Sequence, residues 1–285
     1  MGISINTNVT ATRTSQYLAS NHQNLQHSLD RLSSGRRITQ PSDDAGGLAV
    51  SMKLEHTGKA LRGVSNNISN AISLLQVQDG ALSSIGEIVG RIGELKSMYD
   101  DVTKNTTDKA TYDTELVQLR TQISSICDST NFNGIDVFAG NTAANTGSKV
   151  TVFLDETSTA ASSIDLSDTQ IDNTGTDLEI NILNAAKNTF DDGAGGISAA
   201  EITAALEYIA TQRATNGGEV NRLRFGQANV DSQITNLTAA NGRIMDVDIA
   251  SESSNLAKNQ ILVQASAAMT AQANVSNNVA LLLLQ

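Results

Sequence analysis

Ile68-Ser-Asn-Ala-Ile-Ser-Leu-Leu75-Gln-Val-Gln-Asp-Gly-Ala-Leu82-Ser-Ser-Ile85-Gly-Glu-Ile-Val89-Gly-Arg-Ile92 decides how the rest of the chain reads. Within it Ile68, Leu75, Leu82 and Val89 recur every seven residues, and Ile85, Ile92 and Tyr99 form a second series at the same interval. Interleaved series of this kind place one narrow apolar stripe along a helix, the pattern of a coiled-coil seam or a long helical bundle. Working outward, Leu116, Leu119, Ile123 and Ile126 keep the same alternation of three and four, and so do Val220, Leu223, Val230, Ile234, Leu237 and Ile244. Both are read as core faces of long helices.

The ends of the chain carry stripes too, but thinner ones. Leu18, Leu25 and Leu32 are seven apart, with Leu29 in the intervening position. Leu262, Ala265 and Met269 precede Val275, Val279 and Leu282. His22, Gln260 and Gln272 interrupt these stripes. A narrow isolated seam stabilises a helix little until a partner covers it. The two ends are therefore expected to pair with each other or with other copies of the chain.

Composition agrees with an extended helical protein. The chain has 285 residues, of which 39% are hydrophobic but only 3% aromatic, with no Trp and a single Pro. Scarce aromatics argue against a deep ligand pocket, and scarce Pro permits long helices. With 19 Lys and Arg against 30 Asp and Glu, the formal charge is -11, which disfavours nucleic-acid binding. Twelve acids and two lysines lie between Asp136 and Glu207, so that segment alone carries -10. Residues 1–42 carry four arginines and one aspartate (+3), and residues 245–285 three acids and one lysine (-2). The ends are complementary in sign.

The middle of the chain breaks the helical pattern. Asn133-Gly134 and Gly140-Asn141 are turn signals. Val150, Val152 and Leu154 alternate with polar residues, as do Leu178, Ile180 and Ile182, so both are strand candidates. Asp191 to Gly196 reads as a flexible break, after which Ser198 and Glu201 form a capping box opening the next helix. The expected class is mainly α: a long coiled-coil or bundle rod with a small β-hairpin insertion and both termini paired in an inner helical domain. The expected divisions are 1–42, 43–140, 141–199, 200–244 and 245–285.

Catalytic signatures are missing from the sequence. His22, His27 and His56 have no metal-binding spacing, and Gly193, Gly195 and Gly196 form no phosphate loop. Asp43-Asp44 and Asp100-Asp101 are adjacent, and adjacent helical side chains diverge, so they read as caps rather than an acid–base pair. The lone Cys127, next to the stripe residue Ile126, reads as a small buried hydrophobe and excludes an intrachain disulfide. Asn-X-Ser/Thr triplets start at Asn8, Asn67, Asn105, Asn236 and Asn274, as chance provides in so Asn-, Ser- and Thr-rich a chain. No enzyme and no cofactor are expected. The run Val279–Leu284 is too short to cross a bilayer, so no membrane insertion is expected. No secretory leader is legible in MGISINTNVT, which by itself points to the cytoplasm.

Both ends resemble bacterial flagellin. The likeness is carried by Ile3-Ser-Ile-Asn-Thr-Asn8, Leu32-Ser-Ser-Gly35, Asp43-Asp44-Ala-Gly-Gly-Leu-Ala49, Ser73-Leu-Leu-Gln76, Asp79-Gly-Ala-Leu82 and Asn131-Phe-Asn-Gly134. On the C-terminal side it is carried by Gln233-Ile-Thr-Asn-Leu237, Gly242-Arg-Ile244, Asp246, Asp248, Asn259-Gln-Ile-Leu262 and Ala271-Gln-Ala-Asn274. It spans about residues 1–140 and 200–285 and leaves out the short middle, as in a short flagellin without large outer domains.

The resemblance implies a structural subunit that self-associates into the flagellar filament for motility, outside the cell, after export unfolded through the flagellar type III apparatus by an uncleaved N-terminus. That export route would account for the missing leader. It implies that Leu18, Leu25, Leu29, Leu32, Leu262, Met269, Val275, Val279 and Leu282 belong to the polymerisation interface. It implies an export chaperone, the filament cap and hook-associated proteins as partners, and contact with the vertebrate Toll-like receptor for flagellin through Arg91, Leu95 and Glu115. In that last motif Gly90 and Gly93 stand where the family has Gln and a second Arg. A hook–filament junction protein, or a secreted adhesin or receptor ligand using the acidic middle, would share some of these features.

Overall fold

The computed structural model describes residues 8–139, 150–155, 157, 163–166, 169–170, 187–191 and 196–282. Its helices are α1 (Val9–Ser34), α2 (Ala45–Tyr99), α3 (Thr106–Ser129), α4 (Ala199–Met245) and α5 (Ile249–Leu282). Between α3 and α4 lie the strands β1 (Asn131–Phe132), β2 (Ile135–Asp136), β3 (Phe138–Ala139), β4 (Thr151–Phe153), β5 (Ser163–Asp165) and β6 (Thr169–Gln170). The chain divides into a terminal unit, Met1–Gly58 with Thr235–Gln285, and a central unit, Lys59–Ile234. The fold is mainly α, with its two terminal helices paired and a small hairpin.

Helix boundaries follow from capping chemistry. Asn8 accepts the Ala11 N–H at 3.0 Å to open α1, and Gly35, at φ 69°, closes it in the left-handed conformation that glycine adopts without strain. The Ser198–Glu201 box forms as the sequence predicts: the Ser198 N–H donates to Glu201 at 2.9 Å and the Glu201 N–H to Ser198 Oγ at 3.3 Å. A second box, Asn105 with Asp108, opens α3.

In the central unit the seven-residue series becomes the core. Leu82, Ile85, Val89 and Ile92 of α2 meet Leu116, Ile123 and Cys127 of α3 and Ile202, Ala205 and Ile209 of α4, all buried. Farther along, α2 and α4 run antiparallel, joined from the Asn216 side-chain amide to the Leu75 carbonyl (2.9 Å) and from Ser65 Oγ to Asp231 (3.2 Å). Burial pushes the Cys127 thiol up to about 12, as befits a small hydrophobe rather than a nucleophile.

The middle is partly as expected. Asn133 (φ 54°) and Gly134 (φ 78°) make a two-residue turn that pairs Asn131 with Asp136 and Phe132 with Ile135, the geometry favoured when both turn residues are left-handed. Val152 pairs with Ile164 in the antiparallel β4–β5 ladder, so the first strand candidate is a strand. The candidate at Leu178, Ile180 and Ile182, and the turn at Gly140-Asn141, lie outside the described residues. The break expected at 191–196 is pinned on both sides: Thr189 bridges Gly196, and Phe190 is completely buried. The Phe190 ring lies 5.6 Å from that of Tyr99, its carbonyl accepts from the buried Lys96 ammonium at 2.9 Å, and its N–H donates to Asp113 at 2.9 Å. Residues 192–195 lie outside the described residues.

Candidate functional site

In the terminal unit, α1 and α5 pair antiparallel, and their burial repeats in heptads. On α1 the covered positions are Ala11, Thr14, Leu18, Asn21, Leu25, Ser28 and Leu32. On α5 they are Glu252, Leu256, Asn259, Val263, Ser266, Thr270 and Ala273. Both sets step by three and four, the spacing that keeps a seam facing its partner along two supercoiled helices. Ser28, Ser266 and Ala273 are buried while the seam leucines are half-buried. Small and polar side chains let the helices approach closely, and hydrogen bonds replace apolar volume there. The Asn8 amide, for example, donates to the Ala273 carbonyl at 2.9 Å.

This arrangement sorts the expected interface residues into two groups. Leu18, Leu25 and Leu32 lie in the seam. Leu29 does not fill the intervening seam position as expected: it is 46% exposed, and Ser28 takes that place. On α5 the apolar stripe read from the sequence lies outside the covered positions: Leu262 is 38% exposed, Met269 60% and Val275 49%. The side chains of Val279 and Leu282 lie outside the described residues. Sequence reading chose the most hydropathic face of α5, and α1 packs against a different one. Hydropathy does not mark Asn21, Ser28, Asn259 and Ser266; their signal is a small polar residue at heptad spacing between the aliphatic seam positions.

The base of the pair is fixed by charge and backbone. Gly35 accepts from the Val247 N–H at 3.1 Å, and the Arg37 N–H donates to the Met245 carbonyl at 2.6 Å. Arg31 lies 3.9 Å from Glu252 of α5 and 4.0 Å from Asp43, which also meets His27 at 2.9 Å. Burial alone would raise the Asp43 pKa, but hydrogen bonds from the Thr39 and Gln40 N–H groups, the nearby His27 and the Thr39 hydroxyl outweigh it and hold the carboxyl below its usual range. Among the described residues, the complementary charge of the chain ends meets at Arg31 with Glu252.

In the central unit, Arg91 donates to Glu115 across α2 and α3 at 3.0 Å and to Glu94 at 2.9 Å. Hydrogen bonds from Arg91 to Glu94 and then Glu115 raise the guanidinium's pKa. Leu95 is 0% exposed in the core, so a surface contact through its side chain, as expected from the sequence, is corrected: of the three residues only Arg91 and Glu115 reach solvent. Among the described residues no helix is long and apolar enough to cross a membrane, and no group of three or more His, Cys, Asp or Glu could hold a metal ion.

The bacterial flagellin N-terminal helical region matches residues 5–143, and the bacterial flagellin C-terminal helical region matches residues 199–284. The chain belongs to the bacterial flagellin family. It is 34% identical to a flagellin of Bacillus subtilis (strain 168) over 95% of this chain and 96% of that one. It is 32% identical to the flagellar filament 33 kDa core protein of Treponema phagedenis over 99% of both. The crystal structure of Bacillus cereus flagellin is similar at 33% identity and a TM-score of 0.47, covering 62% of this chain and 94% of that one. Flagellins are structural filament proteins, not enzymes, and the two other readings, junction protein and adhesin, are not favoured. In this flagellin the segments that match the family are those that build both the terminal pair and the helices of the central core.

Proposed function

We propose that the chain is the structural subunit of a bacterial flagellar filament, assembling outside the cell through its terminal helices. One observation carries the reading: the seam between α1 and α5 covers Leu18, Leu25, Leu32 and Val263 but leaves Leu29, Leu262, Met269 and Val275 exposed. A helix pair with an uncovered apolar face gains by burying it against a neighbour. Contacts that do not close on themselves extend into an open helical array. Within this reading, residues 1–42 and 245–285 are the inner halves, 43–140 and 200–244 the outer ones, and 141–199 the solvent-facing middle. The partners that follow are an export chaperone, the filament cap and the hook-associated proteins, with export of the unfolded chain through the type III apparatus. Arg91 and Glu115 are the surface offered to an innate receptor, and a receptor-reporter assay on purified monomer tests that contact.

The central test substitutes Met269→Asp, which changes an exposed side chain and leaves the seam intact. Circular dichroism and the unfolding midpoint are expected to match the parent, while electron microscopy after salt-induced assembly finds no filaments. Filaments of normal length and abundance from this variant would overturn the reading.

A further inference from the structure

Superposing the seam bonds on the sequence exposes a repeat that hydropathy does not show. Asn21-His-Gln-Asn-Leu25-Gln-His-Ser28 in α1 and Asn259-Gln-Ile-Leu-Val263-Gln-Ala-Ser266 in α5 share one cassette: Asn, a branched aliphatic residue four later, Gln next, and Ser seven after the Asn. Burial repeats with it, the Asn and the aliphatic residue being half-buried, the Gln exposed and the Ser buried in both helices.

The hydrogen bonds are reciprocal. The Asn21 amide donates to the Leu262 carbonyl (3.4 Å) and to Ser266 Oγ (3.3 Å). The Asn259 amide donates to the Asn24 carbonyl (3.4 Å) and to Ser28 Oγ (3.2 Å). In each case the Asn of one cassette clamps a carbonyl and the serine four residues beyond it on the other helix. Leu25 and Val263 lie between the two clamps. The antiparallel pair thus has a local two-fold axis that the chain's connectivity does not require.

We propose that Asn21 and Asn259 hold the register of the terminal helices along the seam, beyond the backbone ties at its base. A half-buried amide in a heptad seam contributes less attraction than Leu would, but a helix displaced by one heptad separates each Asn from its serine. Leu18, Leu25 and Leu32 are identical at seven-residue spacing, so the α1 leucines alone do not distinguish one heptad alignment from the next. A parallel arrangement would likewise separate each Asn from its serine. The cassette carries the alignment set at the base of the pair on to the middle of the seam.

The test is the distance between nitroxide labels on Gln16→Cys and Gln272→Cys, both exposed, in the full-length chain, soluble and after salt-induced assembly with excess unlabelled chain. The buried Cys127 thiol, pushed up to about 12, stays unlabelled. With the cassettes intact a single narrow distance is expected in the assembled state. In N21L/N259L, with helicity retained, the distribution broadens or splits by the part of an axial slip of about 10 Å, one heptad of helix rise, that projects on the line between the labels, while the thermal midpoint stays level or rises. S28A/S266A, which removes only the hydroxyl acceptors, broadens it less. A purely structural role would instead lower the thermal midpoint and keep the distance narrow. That result, a broad distance in the parent chain, or an unchanged narrow distance in both variants would each overturn the proposal.

Discussion

The terminal pair and the central core obey the same heptad rule, yet the side chains at the repeating positions differ in kind. In the core, Leu82, Ile85, Val89 and Ile92 are sealed from solvent by two other helices. In the terminal pair the same positions hold half-buried Leu18, Leu25 and Leu32 alternating with Asn21 and Ser28, and much of the apolar surface faces outward. Periodicity fixes how helices lie against one another, while side-chain volume decides whether the contact suffices alone. One region seals its apolar side chains within a single chain; the other leaves Leu29 and Met269 uncovered, the side chains that the proposed assembly would bury.

Breaking the terminal side is expected to give the largest effect. Leu25→Asp puts an unpartnered carboxylate between the two amide clamps, where burial of a charge is costly. Filaments are lost entirely by electron microscopy, while the unfolding transition of the central unit stays in place. Normal filaments from this variant would mean that the seam is dispensable.

Next is Phe190→Ala in the core, which empties a fully buried ring site beside Tyr99 and is expected to cost about 3–5 kcal/mol in urea unfolding. A cost below about 1 kcal/mol would show that the stretch around Thr189 does not stabilise the core. A smaller effect lies in the acid limb. Because the folded Asp43 carboxyl titrates below its ordinary value, its contribution is complete above the unfolded carboxylate pKa and vanishes as pH falls through the lowered one. Asp43→Asn should therefore destabilise the terminal unit at neutral pH and flatten its loss of stability below about pH 4; hydrogen exchange of α1 against pH reads both. Smallest is Arg213→Ala. Its pair with Asp79 (2.9 Å) is exposed on both sides, so thermal denaturation should move by no more than about 1 kcal/mol in stability.

Much of the central unit was legible in the sequence, because a helix buried between others shows its stripe directly. Ile68 to Ile92, the Asn133-Gly134 turn and the Ser198 cap all work this way. Leu95 marks the first limit: a motif likeness assigned it to the surface, although it lies three residues after the stripe residue Ile92 and shares that face. The terminal unit marks the second limit. Hydropathy finds the greasiest face of α5 but does not say which partner meets it, so Met269 was read as seam while Val263 and Ser266 occupy that place. Polar seams are hard to read in principle, since Asn21 and Ser28 look like ordinary solvated positions until their partners on the other helix are known.

Cys127 has a consequence for the protein as a material. Burial pushes its thiol up to about 12, so it stays protonated in the folded chain at neutral pH, and the sulfur is enclosed as well. Once folded, the chain keeps its sulfur out of reach of oxidants and of other thiols. Copies that meet in the folded state do so without a disulfide weld between them.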